Sequence, residues 1–518
     1  MRNMGCVLVG YIVLVTVSVK ILVKGQFPKA CVNSESLEKR ECCPVPPGLK
    51  EPCGRDGSRG DCEEIVVRKW SVTYDHFNTK HVLDDRHNWP RGVFERSCKC
   101  RANYAGYDCS KCKYGYHGKE CKERKVLMRK NFANLSPEEQ DKFMMYMNMS
   151  RFVESDYLLT PAFYQDINET INNGSDPTLL FTNVSVHEFF VWLHYYTTNR
   201  NTVLPDKTKM PFMDFAHRGQ GFLTWHRLYL LAWEWALQDL SGDENYAIPF
   251  WDWTASEKCE ICVDKLLGNV SSNGDVVGKY FADWTTICYP GGANVTDDTK
   301  LCDPHIKTGK LKRSPVQKKL PNGLNVAFPT KKEVAFALRF ERYDLPPFSR
   351  ESSCSFRNLL EGYANTTSGY RLAPVFYAVH NIVHIALGGA MASVPAASND
   401  PIFLLHHCFI DQIFEKWLRK FEKDASALSA TEAPIGHNKG DVIVPMFPVH
   451  THEELFSESF SFGYDFEGVD KDGTWIVSSW QFDCSLLVFV SSWCMPCPCS
   501  QYQSPKKTKS KLNVMRWG

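Results

Sequence analysis

Between Pro374 and Arg419 the chain reads PVFYAVHNIVHIALGGAMASVPAASNDPIFLLHHCFIDQIFEKWLR. His380 and His384 stand four residues apart in an apolar setting, so on a helix both imidazoles leave from one face. A second apolar segment carries His406 and His407. Asp400 followed by Pro401 predicts an N-cap with proline in the first turn of that helix. Two buried helices therefore offer three imidazoles to one point, and any fold of this chain has to satisfy those polar groups inside an apolar interior.

A second group lies upstream. Ser185 and Glu188 form the capping box S-V-H-E ahead of the apolar run FFVWL, which ends in His194. His194 thus sits inside an apolar helix and needs a partner or a metal. In the block DFAHRGQGFLTWHRLYLLAWEWALQDL, His217 occupies a glycine-containing connection and His226 opens a long amphipathic helix. A loop histidine can swing toward a helical one, which gives His194, His217 and His226 as a second set.

Three neutral imidazoles suit copper, zinc or iron and leave coordination positions open for oxygen or a substrate. Two such sets in one helical protein point to a dinuclear centre. The zinc-protease pattern H-E-x-x-H is excluded, because Asn381 follows the first histidine where that chemistry needs a glutamate base.

The surroundings set the compartment. The first 25 residues open with Arg2 and an apolar run, the pattern of a secretory signal peptide. The 21 cysteines exceed what a reducing compartment favours. Sequons at Asn134, Asn148, Asn168, Asn173, Asn183, Asn269, Asn294 and Asn365 predict a glycoprotein. A net charge of +1 gives no basis for a nucleic-acid partner.

Ten cysteines lie between Cys31 and Cys121, in a stretch expected to be stapled by disulfides rather than held by a core. Its second half, Cys98 to Cys121, resembles an EGF-like module. At least one disulfide is expected among Cys259, Cys262, Cys288, Cys302 and Cys354. Residues 291–331 read as a long surface loop, and His437, His450 and His452, set among turn residues, read as surface histidines. The run SLLVFVSSW near the end is too short to span a bilayer, so the chain as written shows no transmembrane helix after the signal peptide.

The segments VWLHYY, DFAH-x8-H, IPFWDW, HNIVH and NDPIFLLHH-x3-D together resemble the tyrosinases, type 3 copper proteins, and in particular the animal tyrosinase and tyrosinase-related group. The resemblance runs from about residue 26 to about residue 465. It implies a mainly α fold: a catalytic domain around a four-helix bundle with a dinuclear metal site, preceded by a small disulfide-rich EGF-like module. The implied division is 1–25 signal peptide, 26–124 Cys-rich module, 125–465 dicopper catalytic domain and 466–518 tail. Carried over by matching positions, His194, His217 and His226 would bind the first copper and His380, His384 and His407 the second, with His406 a neighbouring support. Asn381 and Glu361 would hold a water that helps to deprotonate a phenol. The implied activity is oxidation of phenols such as L-tyrosine and L-DOPA to ortho-quinones by O2, in melanin synthesis, by a monomer of the secretory pathway or melanosome.

Some positions depart from that pattern. Tyr363 stands where tyrosinases of this group have Phe and resembles the tyrosinase-related proteins, whereas His406 matches tyrosinase. Cys408 beside a ligand reads as a buried free thiol, and Cys354 replaces a glycosylated Asn of relatives and is read as a new disulfide partner. The family's C-terminal membrane anchor is not recognisable, which leaves membrane association open. The alternatives are a zinc-loaded tyrosinase-related protein that tautomerises dopachrome, and a haemocyanin-like oxygen carrier.

Overall fold

The computed structural model describes residues 26–67, 86, 89–160, 164–198, 214–289, 302–315, 326–352, 355–363 and 379–470. The expected signal peptide, Cys354, the sequons at Asn294 and Asn365, and the tail beyond residue 470 with its short apolar run lie outside these residues. Among the described residues no helix is long and apolar enough to cross a membrane.

All ten cysteines of the N-terminal stretch are paired, as Cys31–Cys42, Cys43–Cys62, Cys53–Cys98, Cys100–Cys109 and Cys112–Cys121. A small sheet sets Arg96–Cys100 between Glu41–Cys42, which runs parallel to it, and Gly60–Glu64, which runs antiparallel. Disulfides are not the whole fastening. Gln26–Pro28 pairs with Tyr157–Leu159, and Phe27, Trp89 and Phe94 share an apolar cluster with Phe215 and Phe447. The Cys-rich stretch is thus joined to the helical part by backbone pairing and burial as well.

Six helices carry the rest of the argument. α1 spans Pro137–Met149, α2 Val186–Thr198, α3 Phe222–Ser241, α4 Phe356–Glu361, α5 Val379–Leu387 and α6 Ile402–Phe421. α1 starts on a capping box of Ser136 and Glu139 with Pro137 in its first turn. The predicted box at α2 is present: the Ser185 amide donates to Glu188 Oε2 at 2.9 Å and the Glu188 amide to Ser185 Oγ at 3.2 Å.

α6 is buried from Ile402 to Arg419 although it carries charges, because each charge finds a partner. Asp411 receives the guanidiniums of Arg227 and Arg129, and Glu415 those of Arg227 and Arg419. At its start the helix begins at Ile402, with Pro401 in the cap position. The predicted cap residue acts one step earlier: Asp400 Oδ1 accepts the Ile402 amide at 3.1 Å.

Of residues 291–331, the described parts, 302–315 and 326–331, are not simply a surface loop. Lys307–Lys310 pairs antiparallel with Thr285–Ile287, and Arg313 is fully buried, gripping Asp400 through two bonds of 2.6 and 2.7 Å. The segment reaches the core because Gly388 and Gly389, both at positive φ, end α5 without a side chain. A Cβ on either would lie 2.0 Å from a backbone carbonyl of Ser314 or Lys312. Composition suggested exposure, but a bidentate partner for Asp400 draws the segment inward. Among Cys259, Cys262, Cys288 and Cys302 two disulfides form, Cys259–Cys262 and Cys288–Cys302. Cys408 is a buried free thiol, as expected.

Candidate metal centre

The structure gathers His194, His217 and His226 into one group and His380, His384, His406 and His407 into another, the candidate ligand atoms of each lying within 4.8 Å of one another. The groups are adjacent. The rings of His226 and His407 stack at 4.2 Å, with 11° between their planes, and His217 lies 6.3 Å from His380. Phe403 fills the angle between them, 5.0 Å from His194 and 4.1 Å from His407, while Phe222 lies 4.9 Å from both His226 and His380.

In the second group three Nε2 atoms converge: His380 and His384 are 3.0 Å apart, His380 and His407 3.3 Å, and His384 and His407 3.4 Å. Protons are not what holds them there. His380 Nδ1 faces Asn381 Oδ1 at 2.9 Å and His384 Nδ1 faces the Met391 carbonyl at 2.8 Å, and an oxygen acceptor fixes the proton on Nδ1. The Nε2 atoms of His380 and His384 therefore present lone pairs to each other, an arrangement that a shared cation stabilises. Four nitrogens around a metal at about 2.0–2.1 Å stand about 3.3 Å apart in a tetrahedron, which matches this spacing.

In the first group His226 donates Nδ1–H to the Phe222 carbonyl at 2.9 Å, and His217 Nδ1 meets Asp214 Oδ1 at 3.2 Å. His226 Nε2 and His194 Nε2 are buried and have no hydrogen-bond partner among the described residues. Orphaned buried nitrogens are costly unless something binds them. Burial also holds His194, His226, His380 and His407 well below the ordinary imidazole value and lowers His384 to about 4, so these rings are neutral and fit to ligate.

The adjacent histidines are told apart by one hydrogen bond. Trp253 Nε1–H donates to His406 Nδ1 at 3.1 Å, which leaves the His406 proton on Nε2 and its ligating lone pair occupied. His407 has no such donor. Glu361 is fully buried at the end of α4, where it accepts the Arg218 amide and, at 2.9 Å, the Arg357 guanidinium. Burial pushes its carboxyl up, against the pull of Arg357. Asn381 borders the second group through His380. Burial likewise raises the Tyr363 phenol, whose hydroxyl lies near Glu361 and Arg218.

Sequence reasoning missed Asp214 and the role of Trp253. Asp214 precedes His217 by three residues in the quoted D-F-A-H, so an Asx-type turn was a readable signal. Its Oδ1 takes the Ala216 and His217 amides at 3.0 and 2.9 Å as well as the ring. Burial works to raise this carboxyl, but His217 and these bonds hold it well below the usual range. The expectation for surface histidines fails at two of three positions. His437 and His452 are buried, packed under the 214–224 backbone, and only His450 is partly exposed, paired with Glu454 at 3.0 Å. Turn-rich sequence says nothing of what packs onto the turn from elsewhere.

A family model described as the common central domain of tyrosinase matches residues 184–420, which contain every histidine of both groups. Tyrosinase of Bos taurus is 37% identical over 446 residues, covering 85% of this chain and 82% of that protein. Tyrosinase of Gallus gallus is 37% identical over 448 residues, covering 86% and 82%. The 5,6-dihydroxyindole-2-carboxylic acid oxidase of Bos taurus is 33% identical over 452 residues, covering 85% and 82%.

Proposed function

The chain belongs to the tyrosinase family, a family of copper oxidases that act on phenols with O2, and from that premise we propose that it converts L-tyrosine and L-DOPA to ortho-quinones in melanin synthesis. The observation that carries the reading is the convergence of the His380, His384 and His407 Nε2 atoms beside the first group. His194, His217 and His226 hold the first copper in this reading, and His380, His384 and His407 the second. Two bound copper ions supply the redox capacity by which O2 oxidises a phenol to a catechol and then a quinone.

The chain's own residues prepare that chemistry. The Phe222 and Met391 carbonyls, Asp214 and Asn381 each take an Nδ1 proton, so His226, His384, His217 and His380, four of the six ligands, turn their Nε2 lone pairs inward. Phe222 and Phe403 wall the space between the histidine groups with apolar surface. Glu361, pinned by Arg357 and by the Arg218 amide, keeps further lone pairs, and with Asn381 it holds the water that takes the phenol proton.

The same reading assigns a four-helix bundle to α2, α3, α5 and α6 and an EGF-like module to the Cys-rich stretch within 26–124, ahead of a 125–465 catalytic domain. The crossed pairing of Cys43–Cys62 with Cys53–Cys98 supports a compact disulfide module. It also places the glycosylated, monomeric protein in the secretory pathway and the melanosome, after removal of 1–25, with 466–518 as a tail.

The decisive assay measures tyrosine and DOPA turnover and metal content on one sample. Two copper ions per chain with turnover of both substrates is the expected result. Two zinc ions and no copper, or reversible O2 binding without DOPA oxidation, would overturn it.

A further inference from the structure

Of the five segments that carry the six proposed ligands, one is not helical. His194, His226, the His380/His384 pair and His407 ride on α2, α3, α5 and α6, whereas His217 sits in the irregular 214–221 connection. A helix positions its side chains through its own backbone bonds. A loop has to be held from outside.

We infer that His437 and His452 are the positioning residues that hold this loop and thereby set the first metal site; the inference rests on the reading of His194, His217 and His226 as metal ligands. His437 Nε2–H donates to the Asp214 carbonyl at 2.7 Å. Asp214 in turn grips the His217 amide and ring through Oδ1. One arm thus runs from His437 through Asp214 to His217.

The second arm reaches His226. His452 Nε2 lies 2.7 Å from the Gly436 carbonyl, so that nitrogen carries the proton and Nδ1 is an acceptor. The Thr224 hydroxyl, 2.6 Å away, therefore donates to His452 Nδ1. Thr224 stands in the first turn of α3, two residues before His226. The two imidazoles lie in parallel planes, 9° apart, with centroids separated by 6.4 Å.

The loop is shaped to these rings. A Cβ on Gly219 would come within 2.6 Å of the His437 ring, and one on Gly221 within 2.5 Å of His452. The backbone lies directly on the imidazoles, which explains two glycines in H-R-G-Q-G without appeal to unusual dihedral angles. Gln220 between them is clasped by Ser429 in both directions at 2.9 Å, and the Tyr343 hydroxyl donates to its carbonyl at 2.7 Å. An apolar ring could fill the same volume as His437. What histidine adds is the N–H directed at Asp214.

The test strips copper from the holoprotein with increasing concentrations of a competing chelator, on wild type, His437→Phe, His437→Gln, Thr224→Val and His194→Ala. Wild type is expected to hold two copper ions. His437→Phe keeps bulk and loses the donor, so one ion should leave at a chelator concentration lowered about 10- to 100-fold while the other leaves as in wild type. His437→Gln, whose amide can donate to Asp214, should restore most of the difference, and Thr224→Val should weaken the same ion. Wild-type release from His437→Phe, or equal weakening of both ions with a melting temperature that His437→Gln does not restore, would overturn the positioning role. A wild type holding fewer than two ions, or no loss in His194→Ala, would instead overturn the ligand reading beneath it.

Discussion

The Trp253 indole and the His406 imidazole are joined by a 3.1 Å hydrogen bond inside the core, and that bond occupies the one lone pair of the His406 ring. An indole nitrogen only donates, so His406 must accept at Nδ1 and carry its own proton on Nε2. His407, one residue on, turns its Nε2 toward His380 and His384.

Replacement of the two should therefore differ in kind. His407→Leu is expected to lower bound copper from two ions per chain to about one and to abolish DOPA oxidation, whereas His406→Leu should retain two. Elemental analysis of both variants checks this, and loss of copper from His406→Leu would contradict the fixed tautomer.

Asp214→Asn should spare folding and weaken the first site. The amide can still accept one amide hydrogen, but it no longer supplies the charged acceptor that orients the His217 ring. A partner of this kind is commonly worth about 10- to 100-fold in metal affinity. Chelator competition on the purified variant gives the number; unchanged affinity would show that His217 needs no orienting carboxylate.

Arg313→Ala should destabilise the protein strongly. Arg313 and Asp400 are both fully buried, and removing one member strands the other's charge at the start of α6. Breaking such a pair costs about 3–5 kcal/mol. A thermal melt should show a clear fall in midpoint, and a melt like that of wild type would mean that water reaches Asp400 and replaces the guanidinium.

Acid sensitivity should trace in part to His187. Burial lowers its pKa from 6.5 to about 3, with the Arg151 guanidinium adding to the effect. Its folded value is depressed, so the unfolded chain takes up the proton first, and stability falls as pH drops from about 6.5 toward 3. At pH 5.5 this one group costs about 1.4 kcal/mol. Melting temperatures of wild type and His187→Phe between pH 7.5 and 5.5 should converge as pH falls, with the variant losing less. Parallel curves would place the acid sensitivity elsewhere.

The histidine groups were legible because helical periodicity is local. Spacing of four residues puts His380 and His384 on one face whatever else the chain does, and an apolar run around His194 already demands a partner for it. The disulfide-rich N-terminal stretch was equally readable, since cysteine count and compartment constrain it before any fold is known. Residues 302–315 and the histidines at 437 and 452 were misjudged for a common reason. Composition reports how willing a segment is to face water, and Arg313 goes inward because Asp400, 87 residues away, needs a partner.

The sequence by itself determined which chemistry this protein can support: two sets of imidazoles in and beside apolar helices, a cysteine-rich N-terminal stretch, and membership of the tyrosinase family written in a few spaced motifs. Only the tertiary structure decided how that chemistry is aimed. Trp253 occupies the His406 lone pair while His407 faces His380 and His384, Asp214 holds the His217 ring, and His437 reaches Asp214 across 223 residues of chain. Proton positions on imidazoles depend on acceptors and donors within about 3 Å, and which groups come that close is a property of packing, not of order along the chain.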